Sequence, residues 1–173
     1  YAELLERGEE ARRELAAFEE GHDPVEAAEA ELRRADAEVA RVQAELRKAR
    51  QEAAEPFAAA VAAELRGIGL GDGEFQVVLS EREPGTTGAD DVAFRIRPNP
   101  GLPFGPVAET ASGGELSRIA LAIAAVAGGE TMVFDEIDAG IGGTTAHAVA
   151  DTLRRLAERA QVVTITHLPQ IAT

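Results

Sequence analysis

Cysteine and tryptophan are absent from this sequence, tyrosine and methionine each occur once, and among the 17 basic residues the only lysine is Lys48. Without cysteine there is no disulfide framework and no thiolate site, which suits a reducing cytoplasm. Aromatics make up only 4% of the chain, and Ala, Glu and Arg dominate its first third, a bias that favours long helices over a β-sandwich. No run of about 18 apolar residues occurs, and no charged leader precedes an apolar stretch, so neither a membrane span nor a signal peptide is expected and no membrane partner is implied. The sequence opens on Tyr1 rather than methionine, and we read it as a piece of a longer chain. It has no GxxxxGK[ST] phosphate loop, and Lys48 lies in a helical stretch where no such loop could form.

What is present is 173 residues with a hydrophobic fraction of 45% and a formal charge of −14. That is enough for one ordinary domain, or for a smaller globular unit with an extended arm. Acidic excess runs through both the first third and the remainder. Generic DNA affinity comes from Lys and Arg neutralising phosphates, so neither part is a DNA platform at physiological salt.

From Val25 the apolar residues alternate at spacings of three and four: Val25, Ala28, Leu32, Ala35, Val39, Val42, Leu46, Ala49 and Ala53. A seam repeating every 3.5 residues meets a partner helix along its length, so a coiled coil is expected, with a bundle helix as the alternative. Its many alanines make each layer small and the stretch weak in isolation. Asp23, Pro24 and Glu26 form a capping-box start for this helix. Upstream, Leu4, Gly8, Ala11, Leu15 and Phe18 form a second stripe in a different phase, so a break is expected near 21–24, with His22 as a turn residue rather than a ligand. Pro56 is expected to end or kink the long helix. Phe57, Val61, Leu65 and Ile68 then form an amphipathic stripe running into the glycine-rich stretch 67–73. We divide the chain into an arm, 1–55, and a globular lobe, 56–173.

Two alternating segments, 75–79 and 92–97, predict a β-hairpin with a long loop, closed by Pro98-Asn99-Pro100-Gly101. The residues with chemistry come afterwards. Ala111-Ser112-Gly113-Gly114-Glu115-Leu116-Ser117-Arg118 precedes an apolar helix over 119–126; paired glycines at a helix start let an anion approach free amides and the positive end of the helix dipole, and Ser112 adds a hydroxyl. Ser112 and Glu115 equally have the spacing of an ordinary capping box. Thr131-Met132-Val133-Phe134 reads as a short buried strand delivering Asp135 and Glu136 at its carboxyl end, where α/β sheets bind ligands. One carboxylate there can hold Mg²⁺ and the next can orient a water, although paired acids also cap loops. A segment 137–143 and a helix over about 144–159 lead to a second strand, 162–166, that ends at His167. A histidine after a strand can be structural, or it can bond a phosphate or a water.

Taken in order, these segments resemble the signature motif, Walker B, D-loop and switch histidine of ABC-type ATPase heads. Ser112 to Arg118, Phe134 to Gly143 and Thr166 to Ala172, with Asn99-Pro100-Gly101, are similar to the RecN family within the SMC class. Ala111 stands where the signature usually has Leu, and Gly142 where general ABC and SMC D-loops usually carry Asp; the latter favours RecN over its relatives. The link Ala127-Gly128-Gly129-Glu130 is shorter than the family leads one to expect. The fold implied is α/β, the C-terminal lobe of an ABC/SMC-type head without its Walker A half, carrying a helical coiled-coil arm. Implied roles are Mg²⁺ at Asp135, catalysis by Glu136 and His167, ATP contacts in trans from Ser112, Gly113, Gly114 and Glu115, and a D-loop at Asp138, Ala139 and Gly140. Arg118 is left as a phosphate-responsive or helix-surface residue. The cofactors implied are ATP and Mg²⁺. The partners are the N-terminal Walker A half of the same protein, a second copy in a head-to-head dimer, and DNA through the full-length protein. The location implied is cytoplasmic and nucleoid-associated. The activity implied is an ATPase acting in double-strand-break repair by head dimerisation and DNA-end tethering. A structural tether in which ATP mainly bridges heads, or another SMC-type head, is the alternative; the heptad arm argues against a transporter domain. The chain alone is expected to be inactive.

Overall fold

The computed structural model describes residues 2–19 and 24–172. The chain divides into two compact units, Tyr1–Leu46 and Arg47–Thr173.

The first unit holds helix α1, Ala2–Glu19, and the opening turns of helix α2, Pro24–Gly67. Gly21, His22 and Asp23, on which the expected break, turn and cap fall, lie outside the described residues, as does the side chain of Phe18. Within α2 the expected seam is exposed at Val25, Leu32, Val39, Val42 and Leu46. The helix carries its own charge ladder around that seam, with Arg41 2.6 Å from both Glu38 and Glu45 and Arg33 3.4 Å from Glu29. Such pairs, three or four residues apart, face each other on one side of a helix and favour it weakly.

Of the two outcomes expected at Pro56, an end or a kink, the end does not occur: in the second unit α2 continues to Gly67 with the proline inside it. An internal proline costs about 3 kcal/mol through a lost backbone hydrogen bond and a ring clash. Tertiary contacts on both sides oppose that cost. Before it, Arg47 and Arg50 reach Glu81 and Asp90; after it, Phe57 stacks on Phe94 at 6.1 Å, and Val61 and Leu65 are fully buried.

The hairpin is longer and its loop tighter than expected. Strand β1, Glu74–Gly85, pairs antiparallel with β2, Gly88–Arg97, leaving Thr86 and Thr87 between them, with the register shifting between Glu81 and Gly85. Gly88 at φ 94° takes a conformation that other residues rarely adopt. The charged outer part gave no alternating apolar signal, yet a ladder needs only backbone groups, and α2 supplies the countercharges. A short strand β3, Gly105–Pro106, pairs with β2 and leads into a one-turn helix α3, Val107–Thr110.

The remainder is a βαβ unit with a helix in front. Helix α4, Gly113–Ala127, precedes β4, Thr131–Phe134; α5, Gly143–Ala157, crosses over to β5, Gln161–Thr164; and α6, Pro169–Ala172, follows. Gly128, at φ 78°, caps α4 by donating its amide to Ala124, which lets the short link turn directly into β4. Strands β4 and β5 are parallel, with Thr131 opposite Gln161 and Phe134 opposite Thr164. Side chains alternate across this ribbon: Phe134 joins Ile119, Leu121, Val149, Leu153 and Leu156 in the core, while Val133 and Val163, pointing the other way, are exposed.

Candidate functional site

Because β4 and β5 run parallel, their carboxyl ends lie at the same edge of the ribbon. Asp135 and Glu136 follow directly on β4, and His167 stands three residues beyond β5. The structure therefore brings Asp135, Glu136 and His167, three of the residues singled out in the sequence, to one edge, and sets the start of α4 beside the two acids. Ser117, one turn into α4, donates its hydroxyl to the Asp135 carbonyl at 2.7 Å, and a Cβ placed on Gly113 would lie 3.9 Å from Glu136 Oε2. The start of α4 is thus fixed beside the Walker-B-like acids.

Ser112 is the N-cap of α4 and is exposed. Its amide and its hydroxyl each donate to Glu115 Oε2 at 2.8 Å, so the capping box considered in the sequence is formed. These donated bonds, backbone first, hold the Glu115 carboxyl below its ordinary value against the opposing effect of burial. Gly114 has a different reason to be glycine: a Cβ there would come within 2.7 Å of the Ala139 carbonyl oxygen and 2.8 Å of its Cβ. Arg118 is not a helix-surface residue. It is 6% exposed and donates from Nη1 to the Ala139 carbonyl at 3.0 Å, so the signature-like helix grips the 137–142 segment through its backbone. Burial lowers the guanidinium's pKa, with Glu115 acting in the opposite direction.

Glu136 has φ 53°, the one non-glycine in the left-handed region among the described residues. This conformation costs a non-glycine residue about 1–2 kcal/mol, and such strain clusters at functional turns. Its carbonyl accepts the Ala139 amide at 3.1 Å, closing a tight turn that buries Ile137 and Asp138. Asp138 is only 2% exposed, and its Oδ2 accepts the Thr166 hydroxyl, the His167 amide at 2.8 Å and the Leu168 amide at 3.1 Å. His167 Nδ1 stands 3.2 Å from the same oxygen, on a side chain that is 76% exposed. Burial pushes the Asp138 carboxyl up, but the bonds from Thr166, His167, Leu168 and its own amide outweigh this and leave it lowered.

The sequence assigns Asp138 only to the D-loop and does not show its hold on the His167 segment, nor the anchoring bonds of Ser117 and Thr166. The acidic residue four after a strand is a visible signal, but its partner lies almost thirty residues away. Ala139 and Gly140 lie where the sequence placed them, between Asp138 and α5. Among the described residues no three His, Asp or Glu side chains cluster as a metal-binding group.

No family model matches the sequence. Among curated proteins it is 42% identical to the DNA repair protein RecN of Deinococcus radiodurans over 98% of this chain, and 40% identical to that of Treponema pallidum over 99%. The sequence is of the RecN family. It spans about a third of the length of these relatives, 31% and 32% respectively. In fold, this RecN-family chain matches an Smc head domain with a coiled coil and joint from Pyrococcus yayanosii, at a TM-score of 0.63 and 20% identity over 99% of this chain and 32% of that one. It also matches an Smc head with an extended coiled coil from Pyrococcus furiosus, at 0.61 and 18% over 98% and 42%. The α/β lobe with its helical arm is therefore an SMC-type head fold, as the motif order implied.

Proposed function

We propose that this chain is the signature and Walker B half of a RecN-type ATPase, and that the whole protein hydrolyses ATP between two dimerised heads during DNA double-strand-break repair. One observation carries the reading: Asp135, Glu136 and His167 lie at the carboxyl ends of two adjacent parallel strands, with the Gly113-Gly114 helix start fixed beside Glu136. Ligands of parallel α/β sheets bind at that edge.

In this reading Asp135 would hold Mg²⁺, a metal that uses one or two carboxylates, waters and substrate phosphates, so a single carboxylate fits. Bound there, the ion would neutralise charge building on the β- and γ-phosphate oxygens. Glu136 accepts a proton from the attacking water; a bond forms between that oxygen and the γ-phosphorus, and the bond to the β–γ bridging oxygen breaks, releasing ADP and phosphate. Ser112 and the amides of Gly113 and Gly114 contact the γ-phosphate of the nucleotide held by the opposite head, and Glu115 must release the Ser112 hydroxyl for this contact. The phosphate loop belongs to the N-terminal half of the same protein. That half fits the open face of the β4–β5 ribbon, where Val133, Val163 and Ile165 are 67%, 46% and 62% exposed. DNA contacts lie elsewhere in the whole protein, because a chain of net charge −14 repels phosphate.

The test uses the protein that joins both halves. Glu136→Gln is expected to slow ATP turnover by about a hundredfold or more, the scale on which a general base contributes, and to accumulate ATP-bridged dimers on size-exclusion chromatography. The chain by itself is expected to turn over no ATP; Mg²⁺-dependent turnover by it, lost in Glu136→Gln, would contradict the proposal. Normal repair by the Glu136→Gln protein would favour a tether in which hydrolysis is incidental.

A further inference from the structure

We propose that Ser117 and Arg118 are positioning residues for Glu136: from adjacent places on α4 they hold the carbonyls that bracket it and so fix the strained backbone from which its carboxylate projects. This deepens the ATPase reading above and rests on it for the role of Glu136 as the base.

The left-handed conformation of Glu136, at φ 53°, is unfavourable for a residue with a Cβ. Such a conformation persists where surrounding bonds over-determine it. The turn closes on itself through the Ala139 amide, which donates to the Glu136 carbonyl at 3.1 Å, but that bond does not say where the turn sits. Helix α4 supplies the reference. The single proton of the Ser117 hydroxyl goes to the Asp135 carbonyl at 2.7 Å, the nearer of two acceptors, the other being the Gly113 carbonyl at 3.3 Å. Arg118 Nη1 donates to the Ala139 carbonyl at 3.0 Å. Ser117 thus holds the peptide entering Glu136, while the peptide leaving it is bonded to Ala139, which Arg118 holds. Gly114 permits the approach, because a Cβ there would meet Ala139. From this backbone the Glu136 carboxylate reaches toward the start of α4, with Oε2 3.9 Å from a Cβ placed on Gly113.

Stability is a poor account of Arg118. The residue is 6% exposed, its Nε has no hydrogen-bond partner among the described residues, and burial opposes its charge, with Glu115 acting the other way. A buried cation with an unmet donor costs stability rather than adding it, so what the guanidinium supplies is direction. On its far side the turn is held separately, by the three bonds that Asp138 accepts from residues 166–168. Loss of one α4 bond is therefore expected to shift Glu136 without unfolding the turn.

Two measurements test this. A positive φ brings an amide proton close to its own Hα, so the native chain should show a strong intraresidue HN–Hα nuclear Overhauser effect at Glu136. It is expected to weaken in Ser117→Ala and in Arg118→Met, with far-UV circular dichroism retained. An effect unchanged in both variants overturns the inference whatever the activity. In the protein containing both halves, Ser117→Ala is expected to lower kcat by roughly tenfold to a hundredfold, the scale on which a small misplacement of a reacting group acts, with KM for ATP and ATP-bridged dimers little changed. Ser117→Thr keeps the hydroxyl and should restore most of kcat. In a Glu136→Gln background, Ser117→Ala should cost nothing further, because the base it positions is gone. Equal losses in both backgrounds overturn the inference. Absence of any ATP turnover in the native two-half protein sinks the ATPase reading instead, while the Overhauser result still decides whether α4 holds residue 136.

Discussion

Glu136 joins a strained backbone to the carboxylate proposed as the base, and the two can be separated by substitution. At φ 53° a glycine is relaxed and an alanine is not. Glu136→Gly is therefore expected to unfold at a higher temperature than Glu136→Ala, by the equivalent of about 1 kcal/mol, although both lose the carboxylate. Calorimetry of the two variants checks this. Gly114 presents the opposite case, since its φ is unremarkable but its space is taken. Gly114→Ala drives a methyl into the Ala139 backbone and should cost about 1–3 kcal/mol, read as a lowered denaturation midpoint. Asp138 makes a prediction about pH. Its folded carboxyl titrates below its ordinary value of 3.8, so its contribution to stability is fully present above about pH 4 and disappears as pH falls through the lower folded value. Thermal midpoints measured from pH 6 down to pH 3 should fall less steeply in Asp138→Asn than in the native chain.

Among the elements, α2 and the β1–β2 hairpin depend on each other most. Asp90 is almost fully buried, 3.5 Å from Arg47 and 3.4 Å from Arg50, and its Oδ1 receives no hydrogen bond. A buried carboxylate without these arginines would be strongly unfavourable, and the arginines without it lose the charge that holds α2 against the hairpin. Asp90→Ala leaves Arg47 with Glu81 and Arg50 with the Thr87 carbonyl, so it should destabilise the second unit by about 1–3 kcal/mol in urea unfolding, the scale of a lost charged hydrogen-bonding partner. The same element carries Pro56 at a structural cost. Because the helix is held on both sides of it, Pro56→Ala is expected to raise the thermal midpoint of the second unit, and circular dichroism would register the change as retained or increased helicity. A lower midpoint would mean that the proline ring packs where an alanine cannot.

At the scale of the whole molecule, two of the apolar surfaces exposed among the described residues have separate causes. The heptad seam of α2 presents Leu32, Val39 and Val42 in the way a coiled-coil strand does, and the β4–β5 ribbon presents Val133, Val163 and Ile165 on the face away from the core. A two-stranded parallel ribbon covered on one side is half of the doubly covered sheet that parallel strands require. If the phosphate-loop half occupies that face, Val163→Asp should weaken co-purification of the two halves at least tenfold, while far-UV circular dichroism of this chain stays unchanged. Equal capture by the variant would place the other half elsewhere.

The sequence by itself determined the order and type of the longer elements in the globular unit, because strand 131–134, the helix starting behind Ser112, and the paired acids are local patterns whose neighbours suffice to specify them, whereas β3, α3 and α6 are too short to carry such a pattern. It also pointed to Ser112, Asp135, Glu136 and His167, since each stands at the end of an element that its own residues define. Tertiary structure decided what local pattern could not. Pro56 is accommodated within a continuous helix because Phe57, Val61, Arg47 and Arg50 find partners far along the chain. The hairpin extends through charged residues because α2 supplies the opposite charges. Arg118 turns inward to a backbone carbonyl, and Asp138 reaches across to residues 166–168. These outcomes depend on contacts between segments tens of residues apart, and the free energy of burying a charge or bending a helix is set by whichever group the fold brings beside it.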